Sequence, residues 1–147
     1  IRKANCPVLI VKNKPTKSDL QRITFASTFD EHQQIAFKKI HSFSKLLDLK
    51  LSLLFINTPY NFKETADIEH MLNTFCKHCE EINCDKLTYN AYNEERGLKA
   101  FTQGTQIDIL AMATEGRSTL VQFFSPSLTE SIINHLDVPV LSIGIHH

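Results

Sequence analysis

The chain has 147 residues, with 16 Lys plus Arg against 16 Asp plus Glu, so it is about one domain long and formally neutral. That balance excludes a general electrostatic pull toward nucleic acid or an anionic membrane surface. A hydrophobic content of 42% with ten Phe excludes a disordered chain.

Short β runs alternate with longer helical runs. Val8-Leu-Ile-Val11 predicts a strand, bounded by Pro7 and by a linker-like stretch from Lys12 to Ser18. Ile23-Thr-Phe-Ala-Ser27 predicts a second strand. Asp30 reads as a helix N-cap with Gln33 as its capping-box partner, and the helix that follows buries Ile35 or Ala36, then Ile40, Phe43 and Leu47. His32 and His41 fall among polar residues of this helix and are expected to be solvated. Leu51-Ser-Leu-Leu-Phe-Ile56 is apolar on both faces, which suits a central strand of a parallel sheet. A polar loop with Pro59 leads to a helix over about residues 65–82, whose stripe is Ile68, Met71, Leu72, Phe75, Cys79 and Ile82.

Lys86-Leu-Thr-Tyr-Asn-Ala91 is a more polar strand, suited to a sheet edge. A helix near 93–103 carries Leu98 and Phe101 and stops at Gly104. Ile107 to Ala113 predicts another buried strand, followed by a loop from Thr114 to Pro126. Ser127-Leu-Thr-Glu130 forms a capping box for a helix with Leu128, Ile132, Ile133 and Leu136, and His135 complements its C-terminal dipole. Val138-Pro-Val-Leu-Ser-Ile143 is the last strand. From Ile23 onward this makes five strands and four helices, joined by right-handed crossovers into a parallel sheet covered on both faces. Ligands of such sheets sit beyond the carboxyl ends of the strands, here the loops after Ser27, Ile56 and Ala113.

Four glycines, Gly97, Gly104, Gly116 and Gly144, are spaced so that no dinucleotide fingerprint, Walker loop or nucleophile elbow is present. Apolar runs fall short of the roughly 18 residues of a membrane span. The first residue is Ile, not Met, and the expectation is a piece of a longer, cytoplasmic protein. Cys76, Cys79 and Cys84 crowd together, which is poor spacing for a disulfide-stapled fold. Cys76-Lys-His-Cys79 lies within a helical stripe and reads as core lining; zinc held by these cysteines with a third ligand is the alternative, and no metal is expected. No Ser-His-Asp set or paired carboxylates stand out, so no enzymatic activity is expected.

The two ends of the chain repeat one another. Cys6-Pro-Val-Leu-Ile-Val11 matches Val138-Pro-Val-Leu-Ser-Ile143, with Pro7 on Pro139, Val8 on Val140, Leu9 on Leu141 and Val11 on Ile143. The interval is one domain length, which points to a tandem protein. Residues 1–18 are then the last strand of a preceding repeat and its linker, and 19–145 one full domain. The apolar first strand is expected to pair at the edge formed by the last strand, within the chain or exchanged with a neighbour.

The segment Ile107-Asp-Ile-Leu-Ala-Met-Ala-Thr-Glu-Gly-Arg-Ser118, continuing through Phe123-Phe-Ser-Pro-Ser-Leu-Thr-Glu130 to the last strand, resembles the universal stress protein family, as does Ile23-Thr-Phe-Ala-Ser-Thr-Phe29. The resemblance implies a three-layer α/β/α fold with a five-stranded parallel sheet in order 3-2-1-4-5. It also implies association through the last strands, between tandem halves or in a homodimer. Nucleotide-binding members carry G-x2-G-x9-G-[ST] after the fourth strand. Here those positions hold Ala113, Gly116, Pro126 and Ser127, and Arg117 follows the one remaining glycine. Proline gives no N–H to a phosphate and cannot adopt a positive φ. The family's first-strand Asp position holds Thr28, and Ile56 ends the second family strand. The site set implied is therefore Thr28, Ile56, Ala113, Gly116, Arg117 and Ser127, in degenerate form. The expected function is a non-catalytic stress-response module without a cofactor; the alternative is an adenine-nucleotide-binding regulator that uses the loop 113–127 for ATP.

Overall fold

The computed structural model describes residues 6–14, 20–77, 84–115 and 126–145. In chain order its elements are β1 (Val8–Ile10), β2 (Arg22–Ala26), α1 (Gln33–Leu46), β3 (Lys50–Asn57), α2 (Thr65–Lys77), β4 (Asp85–Asn90), α3 (Glu94–Gly104), β5 (Ile109–Glu115), α4 (Pro126–His135) and β6 (Val140–Ile145). They build one six-stranded sheet in order β1-β6-β5-β2-β3-β4. β2 to β6 are mutually parallel and β1 is antiparallel to β6. Without β1, the order is the expected 3-2-1-4-5.

Strand alternation divides the interior into two cores. Phe25, Leu53, Phe55, Ala111, Leu141 and Ile143 join residues of α1 and α2 on one face. Ala26, Leu54, Ile56, Leu110, Met112 and Val140 join residues of α3 and α4 on the other. β3, apolar on both faces, is buried from Leu51 to Asn57, as its composition requires. β4 alternates half-buried and exposed residues at the sheet edge.

The helix starts differ from their sequence signals. α1 begins at Gln33 with His32 as N-cap and no side-chain cap. Asp30 instead closes the preceding turn: its Oδ1 accepts the His32 N–H at 2.9 Å and its carbonyl accepts the Gln33 N–H at 3.1 Å. Ile35 is 49% exposed, and the inward positions are Ala36, Phe37 and Ile40. His41 is half-buried and stacks on Phe37; burial, then the Lys45 charge, lowers its pKa. α1 ends in a Schellman turn: Asp48 has φ 55°, its N–H reaches the Lys45 carbonyl, and the Leu49 N–H reaches Ser44. α4 begins at Pro126, so Ser127 is its second residue rather than its cap. Proline suits a first helical position, where the N–H would have no helical partner. α3 lies close to its expected range, and its cap is one the sequence reading did not name: the Asn93 Oδ1 accepts the Arg96 N–H at 2.9 Å.

β1 pairs with β6 as Val8↔Ser142, Leu9↔Leu141 and Ile10↔Val140. In the terms of the terminal repeat, each residue faces the counterpart of its own opposite number. The ladder thus has a local two-fold axis at Leu9 and Leu141. Extending the register sets Pro7 opposite Ile143 and Val11 opposite Pro139, so a residue without an N–H bounds the ladder on each strand.

A side chain far along the sequence anchors the start of β2. The Asp108 Oδ2 accepts the N–H groups of Gln21 and Arg22, both at 2.8 Å. Asp108→Ala leaves both donors without this acceptor and is expected to cost about 1–3 kcal/mol in urea unfolding. Asp108→Asn keeps an oxygen and should cost less; equal losses would remove the hydrogen bonds as the cause.

Candidate functional site

Parallel register carries the candidate residues to one end of the sheet. Ala26 is level with Leu54 of β3 and with Met112 of β5. Thr28, Ile56 and Ala113 therefore meet at the carboxyl ends of three adjacent strands. Their side chains do not converge. Ile56 belongs to the core under α3 and α4, and Ala113 to the core under α1 and α2; each is 5% exposed. Ser127 is exposed in the first turn of α4. Gly116 and Arg117 lie outside the described residues, as does Cys79.

The turn after β2 takes up its own polar groups. The Ser27 Oγ, buried, accepts the Phe29 N–H at 3.0 Å. The Thr28 hydroxyl donates to the Asp30 Oδ2 at 3.2 Å, while Oδ1 takes the His32 N–H. The Gln34 N–H goes to the Glu31 carbonyl. Phe29 has φ 61°, a left-handed conformation rare for a bulky side chain, yet its ring is 5% exposed and packs edge-on against Phe25 and Phe75. The aromatic core holds the backbone in this state. At this helix start the Phe29, His32 and Gln34 N–H groups are thus engaged within the chain.

The sequence reading missed a second polar cluster beside this turn. Asn57 is 8% exposed; its Nδ2 donates to the Lys63 carbonyl and the Asn90 Oδ1, both at 3.2 Å, and its Oδ1 accepts the Lys63 N–H at 3.0 Å. It organises the loop from Thr58 to Lys63. A cavity of about 520 Å³ opens next to it between α2 and β4, lined by Asn57, Glu69, Asn73, Lys86, Thr88 and Asn90 among others, with the Lys86 Nζ donating to the Asn73 Oδ1 at 2.7 Å. The available signal was a polar Asn57-Thr58 ending an apolar run, with Asn90 ending the next strand. Among the described residues, no group of three His, Cys, Asp or Glu is placed to hold a metal ion, and no helix is long and apolar enough to cross a membrane.

Residues 20–143 match the model of the universal stress protein family. No curated protein sequence matches significantly. Among solved structures, a universal stress protein in complex with cAMP is similar at a TM-score of 0.65 and 15% identity, over 86% of this chain and 98% of its own. A universal stress protein from Archaeoglobus fulgidus DSM 4304 is similar at 0.75 and 18% identity, over 99% of this chain and 53% of that longer one. One from Lactobacillus plantarum reaches 0.54 at 12% identity, over 86% of this chain and 97% of its own. At these identities the likeness is one of fold.

Proposed function

Since the chain belongs to the universal stress protein family, we propose that it is a non-catalytic stress-response module with a degenerate nucleotide site, acting in the cytoplasm through association at its last strand. The observation that carries this reading is the turn after β2. Thr28 stands at the family's Asp position, and its hydroxyl and the turn's N–H groups are engaged by Asp30 and Ser27. Ala113 and Pro126 at two of the family's glycine positions support the same reading.

The partner in this proposal is a sister domain of the same protein or a second copy of the chain. The two-fold ladder between β1 and β6 supports it, because a preceding repeat would contribute its own last strand in this way. The coverage of the longer Archaeoglobus protein, 99% of this chain against 53% of that one, supports a tandem parent. Residues 1–18 are then the end of the first repeat and the linker, and 19–145 the second repeat.

Calorimetric titration with Mg-ATP tests the reading. No saturating heat is expected up to about 1 mM ATP. A Kd below about 100 μM, near −5.5 kcal/mol, would overturn it in favour of an adenine-nucleotide-binding regulator. The similar fold in complex with cAMP favours that second reading, so cAMP belongs in the same titration series.

A further inference from the structure

Cys76, in the last turn of α2, and Cys84, immediately before β4, place their sulfurs 3.1 Å apart. Both are free thiols, and both are half-buried at the rim of the core under α1 and α2. The separation is about 1 Å longer than the 2.03–2.05 Å of a disulfide bond. We propose that Cys76 and Cys84 are a site of reversible oxidation by hydrogen peroxide, forming an intrachain disulfide that ties the end of α2 to the start of β4. This inference is independent of whether nucleotide binds.

The chemistry balances with one equivalent of peroxide. The Cys76 sulfur, as thiolate, attacks one peroxide oxygen. The O–O bond breaks, Cys76 becomes a sulfenic acid, and one water leaves. Cys84 then gives up its proton and attacks the Cys76 sulfur; the S–O bond breaks, the S–S bond forms, and a second water leaves. Two thiols lose two electrons and two protons in all, and the peroxide is reduced to two waters. Burial, then the hydrogen bond with Cys76, pushes the Cys84 thiol up to about 12. Cys84 must lose its proton as it attacks, and it already lies in contact with the sulfur it has to reach.

The bridge closes a short loop and removes conformational freedom from the unfolded chain. The oxidised protein should melt about 5 °C or more above the reduced one, with the difference abolished by dithiothreitol. The test treats the full reduced chain with hydrogen peroxide, blocks remaining thiols by alkylation, and maps bridges in non-reduced peptides. The expected product links Cys76 to Cys84, survives in Cys79→Ser, and is reversed by dithiothreitol. In Cys84→Ser, Cys76 should accumulate as a sulfenic acid trapped by dimedone. Bridges from Cys76 to Cys79, intermolecular bridges through Cys6, or over-oxidised Cys76 beside an alkylated Cys84 would each overturn the proposal. So would stoichiometric zinc that protects these thiols from alkylation. The wild-type map stands even where a variant fails to fold.

Discussion

Phe25→Ala is expected to destabilise the protein by about 3–5 kcal/mol. Phe25 is fully buried in β2. Its ring lies 5.8 Å from those of Phe29 and Phe37 and 6.4 Å from that of Phe75. Phe29 and Phe37 each meet Phe75 edge-on, at 5.1 Å and 5.2 Å. One strand, one turn and two helices therefore share this aromatic cluster, and removing its centre leaves a cavity that four rigid elements cannot all close. Against a total stability of roughly 5–15 kcal/mol, the loss is large. Urea unfolding of the wild type, Phe25→Leu and Phe25→Ala measures it, and the leucine variant should retain most of the stability. A loss below about 1 kcal/mol for the alanine variant would mean that the cluster does not hold the turn against α2.

Gly97→Ala is expected to lose about 1–3 kcal/mol, although alanine is the better helix former by about 1 kcal/mol. Gly97 lies in the first turns of α3, where the helix meets the sheet. A Cβ there would stand 2.5 Å from the Ile56 Cγ2 and 2.9 Å from the Ala91 Cβ. Neither is the free end of a flexible chain: Ile56 is β-branched and 5% exposed, and Ala91 cannot rotate away. The close approach lets α3 settle on the carboxyl end of β3, beside the candidate site. A double-mutant cycle separates contact from propensity. Ile56→Ala opens the space, so the added methyl in Gly97→Ala/Ile56→Ala should cost less than it does alone, by at least about 0.5 kcal/mol. Strict additivity would refute the contact as the reason for glycine.

Patterns that depend on near neighbours were legible in the sequence. The apolar run of β3 and the polar alternation of β4 assigned one strand to the centre and the other to an edge, because burial on two faces or one is written in composition. The Pro-Val-Leu repeat located the extra strand and its pairing edge. Helix starts were less legible. Asp30 and Ser127 have the residue types of caps, but the chain uses Asp30 one turn earlier, and Pro126 takes the first position of α4. The site was legible only as a place. Thr28, Ile56 and Ala113 share one end of the sheet because parallel strands align it, whereas their opposite orientations, the left-handed Phe29 and the Asn57–Asn90 contact depend on how separate segments meet. The same holds for the two sulfurs of Cys76 and Cys84, whose contact depends on where α2 ends relative to β4.

The seam between β1 and β6 sets a limit on assembly. An open sheet edge invites strand after strand, the route by which soluble domains become fibres. Here the seam reads the same from either side, and proline bounds it on both strands. Sliding it two residues toward Pro139 would bring that proline into the paired stretch, opposite Leu9. The β6 edge is thus taken by a segment of the same chain, and the open edge passes to β1, a strand of 3 residues. So short an outer strand leaves little backbone for a further chain to pair with.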